Sequence, residues 1–544
     1  MSTKHIVIVG GGTAGWLTAI NLLKKTFQIK VTVVASKEIP IIGVGESTTG
    51  MFNSVLSADA ENLPAIRESK FLRETGSTFK FGIMHSCWKD GKDWFTSPLG
   101  NNFKNHKSYP TTDYDFYRLY HIYKNEKLNN ANLQSQMMIN DKVPLFKVDD
   151  DFKAYKNLKE LTETVDMRFN HHAFHLDTFK VNDFLKDYFL TARKETKHLA
   201  NHVEDIITDV IQDENGLVKA VKTKQGKTIE GDLFVDCTGF KRLLISKIEE
   251  NNFNSYRKQL LTNRALAFHI ENKEDTNINN YTHVIAQKYG WMWDIPLQHR
   301  KGCGYVFNDQ MTTIEEAQKE IEEDLGHKIN IQRDIKFEPG RLDKAWTKNV
   351  LSTGLATGFL EPLEATSIHM TVLQINHFIE NYFTDNIDYN NKSLINQYNL
   401  EIGSIWDDLR DFIRLHYQSK RKDTEFWKVA SSKETLSPRL EGLLEMWKTR
   451  TPRVTDYQIN SSKNFYYLGN TLWLQILMGM DLLDRNMVIK ELDYFNLVNT
   501  AKSDHLVKKH TYDFLEKKAC PNNFFYKNEA IKLDRYRKIN ETEI

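Results

Sequence analysis

The sequence predicts an α/β protein: a parallel-sheet domain built from discontinuous segments, interrupted by antiparallel sheet insertions, with a mostly helical region toward the C-terminal end. Three observations predict it. Residues 5–9 are apolar and largely β-branched and run into a glycine cluster at 10–15; 16–25 then has helical character and 30–34 reads as a second strand, making a βαβ start. Strand-like runs return much later, at 231–237 and 350–352, each followed by a turn containing glycine. From about residue 366 the apolar positions recur at three- and four-residue spacing, as in 368–383 and 405–416. The expected division is therefore a core over 1–365 and a helical, site-covering region over 366–544.

With 544 residues, 40% hydrophobic and 12% aromatic, the chain buries a large core in one big domain or two intimately packed ones. Lys plus Arg (73) balance Asp plus Glu (72), so no overall field draws the chain to nucleic acid or to an acidic membrane. Cys87, Cys237, Cys303 and Cys520 lie far apart without CxxC or metal-ligand spacing, which points to reduced thiols, a cytoplasmic setting and no bound metal. No apolar run reaches the length of a signal h-region or a membrane span, so a soluble protein is expected. There is no internal repeat, and the Asn- and Lys-rich stretches at 251–254 and 390–392 read as solvated loops.

Gly10, Gly12 and Gly15 spell GxGxxG directly between strand and helix, with Thr13 and Ala14 completing the loop. Glycines there permit a tight turn, close backbone approach to a pyrophosphate, and packing of helix on sheet, so a Rossmann-like dinucleotide site is expected. Such sites place an acid about 20 residues further on to hold the ribose. Here that position is Ala35, followed by Ser36 and Glu38, and the Ser36 hydroxyl is the candidate ribose contact.

Longer motifs follow: IGVGEST at 42–48, FKFGI at 79–83, FHLD at 174–177, DLFVDCTGF at 232–240, GWMWDIPL at 290–297 and GYVF at 304–307. GR at 340–341, GLATGFLEPLEATS at 354–367, RDFIRLHY at 410–417 and DTEFW at 423–427 complete the series. In number and order these resemble the flavin-dependent halogenases of the tryptophan-halogenase family, over nearly the whole chain to about residue 480. The WxWxIP element, here Trp291, Trp293, Ile295 and Pro296, separates that family from related flavin monooxygenases. The resemblance implies an FAD-binding fold of the flavin-monooxygenase type. It also implies FADH2 supplied by a separate reductase through diffusion, oxygen, a halide (chloride, bromide or iodide) and a small aromatic substrate, and it allows a homo-oligomer. Cofactor contacts are expected from Gly10, Gly12, Thr13, Ala14, Gly15, Ser36, Gly43, Val44, Gly354 and Phe359.

In this family hypohalous acid travels from flavin to a substrate that never touches it, and Lys80 matches the catalytic lysine that receives it, by hydrogen bonding or as a haloamine. The competing reading, one more surface lysine, is opposed mainly by the motif around it. Glu364 matches the carboxylate that stabilises the cationic ring intermediate and takes its proton, whereas Glu361 reads as structural. The family's serine, threonine and glycine after that glutamate are here Ala365, Thr366 and Ser367, so halide binding is expected from the Thr366 and Ser367 backbone amides.

Trp291 and Trp293 are expected to wall the flavin from the tunnel, or equally to pack as core aromatics. Phe103 and Trp473 are the candidate substrate aromatics, with core packing the competing role for Trp473. The residues by which free-tryptophan halogenases grip the amino acid find only an echo at 464–467, which leaves indole, phenol-like and pyrrole-like rings open beside tryptophan. Two other functions compete: an FAD-dependent aromatic hydroxylase, and a flavin-binding protein that has lost halogenation, suggested by Ala35, Ala365 and Ser367.

Overall fold

The structure, a computed structural model, describes residues 4–26, 29–43, 46–56, 63–99, 116–126, 133–146, 172–192, 199–248, 251–453, 456 and 470–527. They fall into two compact units. The first comprises Met1–Thr75, Leu176–Arg257 and Phe337–Asp407, and the second Gly76–His175, Lys258–Lys336 and Asp408–Ile544.

The first unit is built on a six-stranded sheet in the order Trp346–Thr347, Val350–Ser352, Leu233–Asp236, β1 (Lys4–Val9), β2 (Ile29–Ala35) and Ala200–Glu204. All neighbours pair in parallel except the first two strands, which are antiparallel. Ile6, Val7 and Ile8 are wholly buried, as expected for a strand covered on both faces. The register sets Val9 opposite Val34 and Asp236, so the chain leaves β1 level with the carboxyl ends of both neighbours. Helix α1 (Thr13–Lys25) follows at once, and its apolar residues are buried almost all round. Against it packs the helix Thr366–Asn381, which buries Ile368, Met370, Val372, Leu373, Ile375 and Phe378. An antiparallel meander over Ile207–Gln212, Val218–Thr223 and Thr228–Glu230 packs Ile207, Val218 and Val221 against Val7, Val9, Val34 and Phe234 of the sheet.

The second unit centres on a seven-stranded sheet in the order Arg333–Lys336, Arg264–Glu271, Arg300–Phe307, Gly290–Pro296, Tyr281–Ala286, Gly82–Ser86 and Trp94–Pro98. Every pairing is antiparallel except Tyr281–Ala286 with Gly82–Ser86. The helix Ile314–Leu325, started by a Thr313–Glu316 capping box, sets Ala317 and Ile321 onto Leu266, Phe268, Met292 and Tyr305 of the sheet. No helix among the described residues is long and apolar enough to cross a membrane.

An α/β architecture with a parallel sheet, antiparallel insertions and helices after residue 366 is what the sequence predicts. The unit boundaries differ from a division at 365. Gly76–His175 and Lys258–Lys336 leave the first stretch to make the antiparallel sheet, while Thr366–Asn381 stays with the parallel one. The cause is burial: that helix has its apolar residues on α1, which no amphipathic period can reveal.

Candidate active site

In the first unit the glycines of the 10–15 loop do different work. Gly10 has φ +121°, and a Cβ there would stand 2.3 Å from the Cys237 carbonyl oxygen; a Cβ on Gly15 would stand 1.9 Å from the Gly10 carbonyl oxygen. Both glycines let backbone touch backbone. Gly12 is the opposite case, since a Cβ there meets nothing within 4 Å, and it caps α1 without any side-chain cap bond. An open face beside uncapped N–H groups at a helix N-terminus suits a pyrophosphate, so the residues present fit a dinucleotide such as FAD. Gly354 (φ +62°) comes within this site because its Cβ position lies 2.8 Å from Ala14, and Phe359 stands edge-on to Phe240 at 5.8 Å. Ser36 follows the carboxyl end of β2 and accepts the Glu38 N–H at 3.1 Å, while Gly43 packs under the Phe179 ring.

The motif carboxylates Asp177 and Asp236 are structural. Asp177 caps the helix Thr178–Thr191 by accepting the Phe179 and Lys180 N–H groups. Buried Asp236 accepts from the Thr238 N–H and hydroxyl and from the Leu244 and Ile245 N–H groups, which organises the DCTGF loop.

The EPLEATS segment makes a tight turn into the helix Thr366–Asn381. Glu364 (φ +64°) and Ala365 (φ +56°) are consecutive left-handed residues, a costly arrangement for side chains with a Cβ. Glu364 is 8% exposed and Glu361 1%. No side chain caps this helix, so the Thr366 and Ser367 amides head it with the positive end of its dipole.

In the second unit Lys80 is 0% exposed. It ends the strand Thr78–Lys80, which pairs antiparallel with Ala173–Leu176 and sets Lys80 opposite Ala173. Phe79 and Phe81 flank it: the Phe79 N–H donates to the Tyr526 hydroxyl at 2.7 Å and the Phe81 N–H to the Asn280 carbonyl at 2.7 Å. His175 lies between the hydroxyls of Thr78 (3.0 Å) and Thr282 (3.1 Å). Burial, and then the Lys80 charge, hold His175 well below the usual imidazole range. His85 is likewise held well below it by burial, then by His416, His283 and Lys80. The lysine thus stands among imidazoles kept neutral at ordinary pH.

His85 stacks on Phe95 at 4.5 Å and neighbours His416, which meets Phe412, which meets Trp473 at 5.4 Å. Trp473 is 0% exposed and also packs on Trp447, so as placed it is a core aromatic of this run. Trp291 and Trp293 are buried on one face of the strand Gly290–Pro296, 6.2 Å apart. Trp291 faces Trp88, and Trp293 covers Gly304. The Trp293 indole N–H finds no hydrogen-bond partner among the described residues. Val44, Phe103 and residues 464–467 lie outside the described residues.

The chain as a whole has counterparts among known proteins. The family model described as tryptophan halogenase matches residues 5–490. The chain belongs to the tryptophan halogenase family. The tryptophan 6-halogenase ThaL of Streptomyces albogriseolus is 32% identical over 89% of this chain and 90% of its own. Among solved structures, the tryptophan halogenase of Shewanella frigidimarina superposes with a TM-score of 0.81 at 24% identity, over 98% of each chain, and shares the fold. The tryptophan C-6 flavin-dependent halogenase Tar14 superposes with a TM-score of 0.80 at 27% identity, over 97% of this chain and 100% of that one. The protein is an enzyme, a flavin-dependent halogenase.

The halogenase holds two features that motif reading passes over. Glu46, inside IGVGEST, accepts the Thr13 hydroxyl at 3.2 Å, and burial pushes its carboxyl up to about 7 against the pull of that hydrogen bond. An acid in a glycine-rich segment was the available signal. His85 gives no signal of its own and His175 only its place in FHLD; the fold alone sets both imidazoles near Lys80.

Proposed function

We propose that this halogenase places a halogen on an electron-rich aromatic small molecule, an indole or related ring such as tryptophan, with Lys80 delivering the halogen. The observation that carries the reading is the complete burial of Lys80 among aromatic rings and neutral imidazoles. FAD, bound in its reduced form after delivery by a separate reductase, would supply the oxidising power that turns oxygen and halide into hypohalous acid. The 10–15 loop and the N-terminus of α1 would hold the FAD diphosphate, with Ser36 at the ribose and Gly43, Gly354 and Phe359 along the remainder. The Thr366 and Ser367 amides would hold the halide; Ala365 brings no hydroxyl, so anion binding there rests on the backbone.

Lys80 Nζ then either donates a hydrogen bond to the hypohalous oxygen or, as the free amine, takes the halogen with loss of water. Neutral imidazoles beside it place no like charge against the ammonium. The ring attacks the halogen, and Glu364 accepts the proton that its reacting carbon must lose. Trp291 and Trp293, buried side by side on one strand, would give the second unit's part of the site its rigid aromatic framework.

The test is to incubate the protein with FAD, a flavin reductase, NADH, chloride or bromide and a panel of indoles including tryptophan, and to read product masses. A halide-dependent mass gain is expected, and halide-independent hydroxylation would overturn the reading. Lys80→Ala should abolish the halogenated product while flavin oxidation continues; retained product would refute its role.

A further inference from the structure

We propose that the second unit carries a site for one divalent cation of the zinc class, held by His121, Glu126 and His505. His121 lies in the last turn of the helix Phe116–Lys124, and His505 lies on the helix Val498–Lys518. Their rings meet edge to face with centroids 4.7 Å apart. Glu126 is folded back beneath them: Asn125 adopts φ +59°, and the Glu126 N–H donates to the His121 carbonyl at 2.9 Å. Its Oε2 then stands 3.5 Å from His121 Nδ1 and 3.9 Å from His505 Nε2, and one ligand atom from each residue falls within 4.8 Å of the others.

Those separations suit a metal better than a direct hydrogen bond. A charge-assisted ring N–H to carboxylate bond closes to about 2.7–2.9 Å, and neither contact does. A tetrahedral metal with bonds of about 2.0–2.2 Å sets its ligands roughly 3.3–3.6 Å apart. Of the three ligand separations one lies in that range, one exceeds it by a few tenths of an ångström, and the third, between the two imidazoles, is within 4.8 Å, so the rings close on the ion as it binds. Two imidazoles with one carboxylate is a ligand set that zinc favours, with a water in the fourth position. His121 and His505 are 3% and 5% exposed, whereas the Glu126 side chain is 44% exposed, so the imidazoles are desolvated and the carboxylate face offers the route in.

The surroundings hold the ligands in place. Arg485 donates from Nε to the Ile122 carbonyl at 3.0 Å and from Nη2 to the Tyr123 carbonyl at 2.8 Å, pinning the helix end that carries His121. Tyr120 packs against the His505 ring at 5.1 Å and stacks on Tyr123. A metal here would clip together two helices far apart in the sequence. It plays no part in the halogenation proposed above.

The full-length protein, stripped with chelator and exchanged into metal-free buffer, is titrated with zinc sulfate, with bound metal counted by plasma mass spectrometry after gel filtration. One equivalent is expected at micromolar free zinc, with a melting temperature that rises with the logarithm of free zinc. Cobalt(II) should give the visible absorption bands of a four- or five-coordinate site. Glu126→Gln and His505→Gln should each weaken zinc binding by about 100-fold or more and remove the cobalt bands. Glu126→Gln, at a half-exposed position, keeps the test valid if the histidine variant does not fold. No retained zinc, or the same stoichiometry and affinity in Glu126→Gln, would overturn the proposal and assign any bound metal to other residues.

Discussion

Glu46→Gln isolates an electrostatic cost built into the cofactor loop. Burial raises the Glu46 carboxyl from 4.5 to about 7 in the folded chain, with the Thr13 hydroxyl bond opposing the shift. A raised carboxyl means that the folded state binds this proton more tightly than the unfolded one. The group's contribution is therefore fully favourable below about pH 4.5, is lost as pH rises from 4.5 to 7, and stays at its worst above 7. At 1.36 kcal/mol per pH unit the full difference is about 3 kcal/mol at pH 8, and about 1.4 kcal/mol of it is already present at pH 5.5. Glutamine keeps the shape and the acceptor for Thr13 but never ionises. Urea unfolding of the flavin-free protein, followed by tryptophan fluorescence, should show Glu46→Gln gaining about 2 kcal/mol more over wild type at pH 8 than at pH 5.5. An equal difference at both pH values would refute the reasoning. Because Thr13 opens α1, the ionised carboxylate also stands beside the pyrophosphate cradle. Wild-type affinity for FAD should fall above pH 7, and the variant should flatten that fall.

Gly10→Ala forces a Cβ to 2.3 Å from the Cys237 carbonyl oxygen at φ +121°, where backbone rather than a movable side chain is in the way. It should cost about 3 kcal/mol or more and abolish flavin retention on gel filtration, since β1 and its neighbour must part to admit it. Ala365→Gly relieves a left-handed alanine at φ +56°; the strain relieved, about 1–2 kcal/mol, outweighs the added freedom of the unfolded chain, about 0.4–1 kcal/mol. A small rise in melting temperature is expected, and a fall would show that the turn does not hold that conformation.

Much of the first unit was legible because its signals are local. β1 is a short apolar run covered on both faces, the glycine loop must turn within a few residues, and Gly10, Gly12 and Gly15 sit where backbone contact or an open helix end requires them. The unit boundary was not legible, because the helix Thr366–Asn381 has the same apolar period whichever sheet it covers. Nor did the motifs separate roles within themselves. Asp177 and Asp236 are as prominent in the sequence as Glu364, yet one caps a helix and the other gathers four donors. Trp473 reads in the sequence as a candidate substrate aromatic whose apolar helical run favours core packing, and it stands against Phe412 and Trp447.

What the sequence by itself determined is the α/β class, the dinucleotide loop and the family, each written in residues close together in the chain. Tertiary structure alone decided the environment of each group. Lys80 is an ordinary lysine between two phenylalanines until the strand pairing buries it near His175 and His85. His121, Glu126 and His505 have no common spacing until two helices pack together. The physical reason is range: turn and helix preferences act over a few residues, whereas desolvation and charge act through space between segments that only the fold brings together.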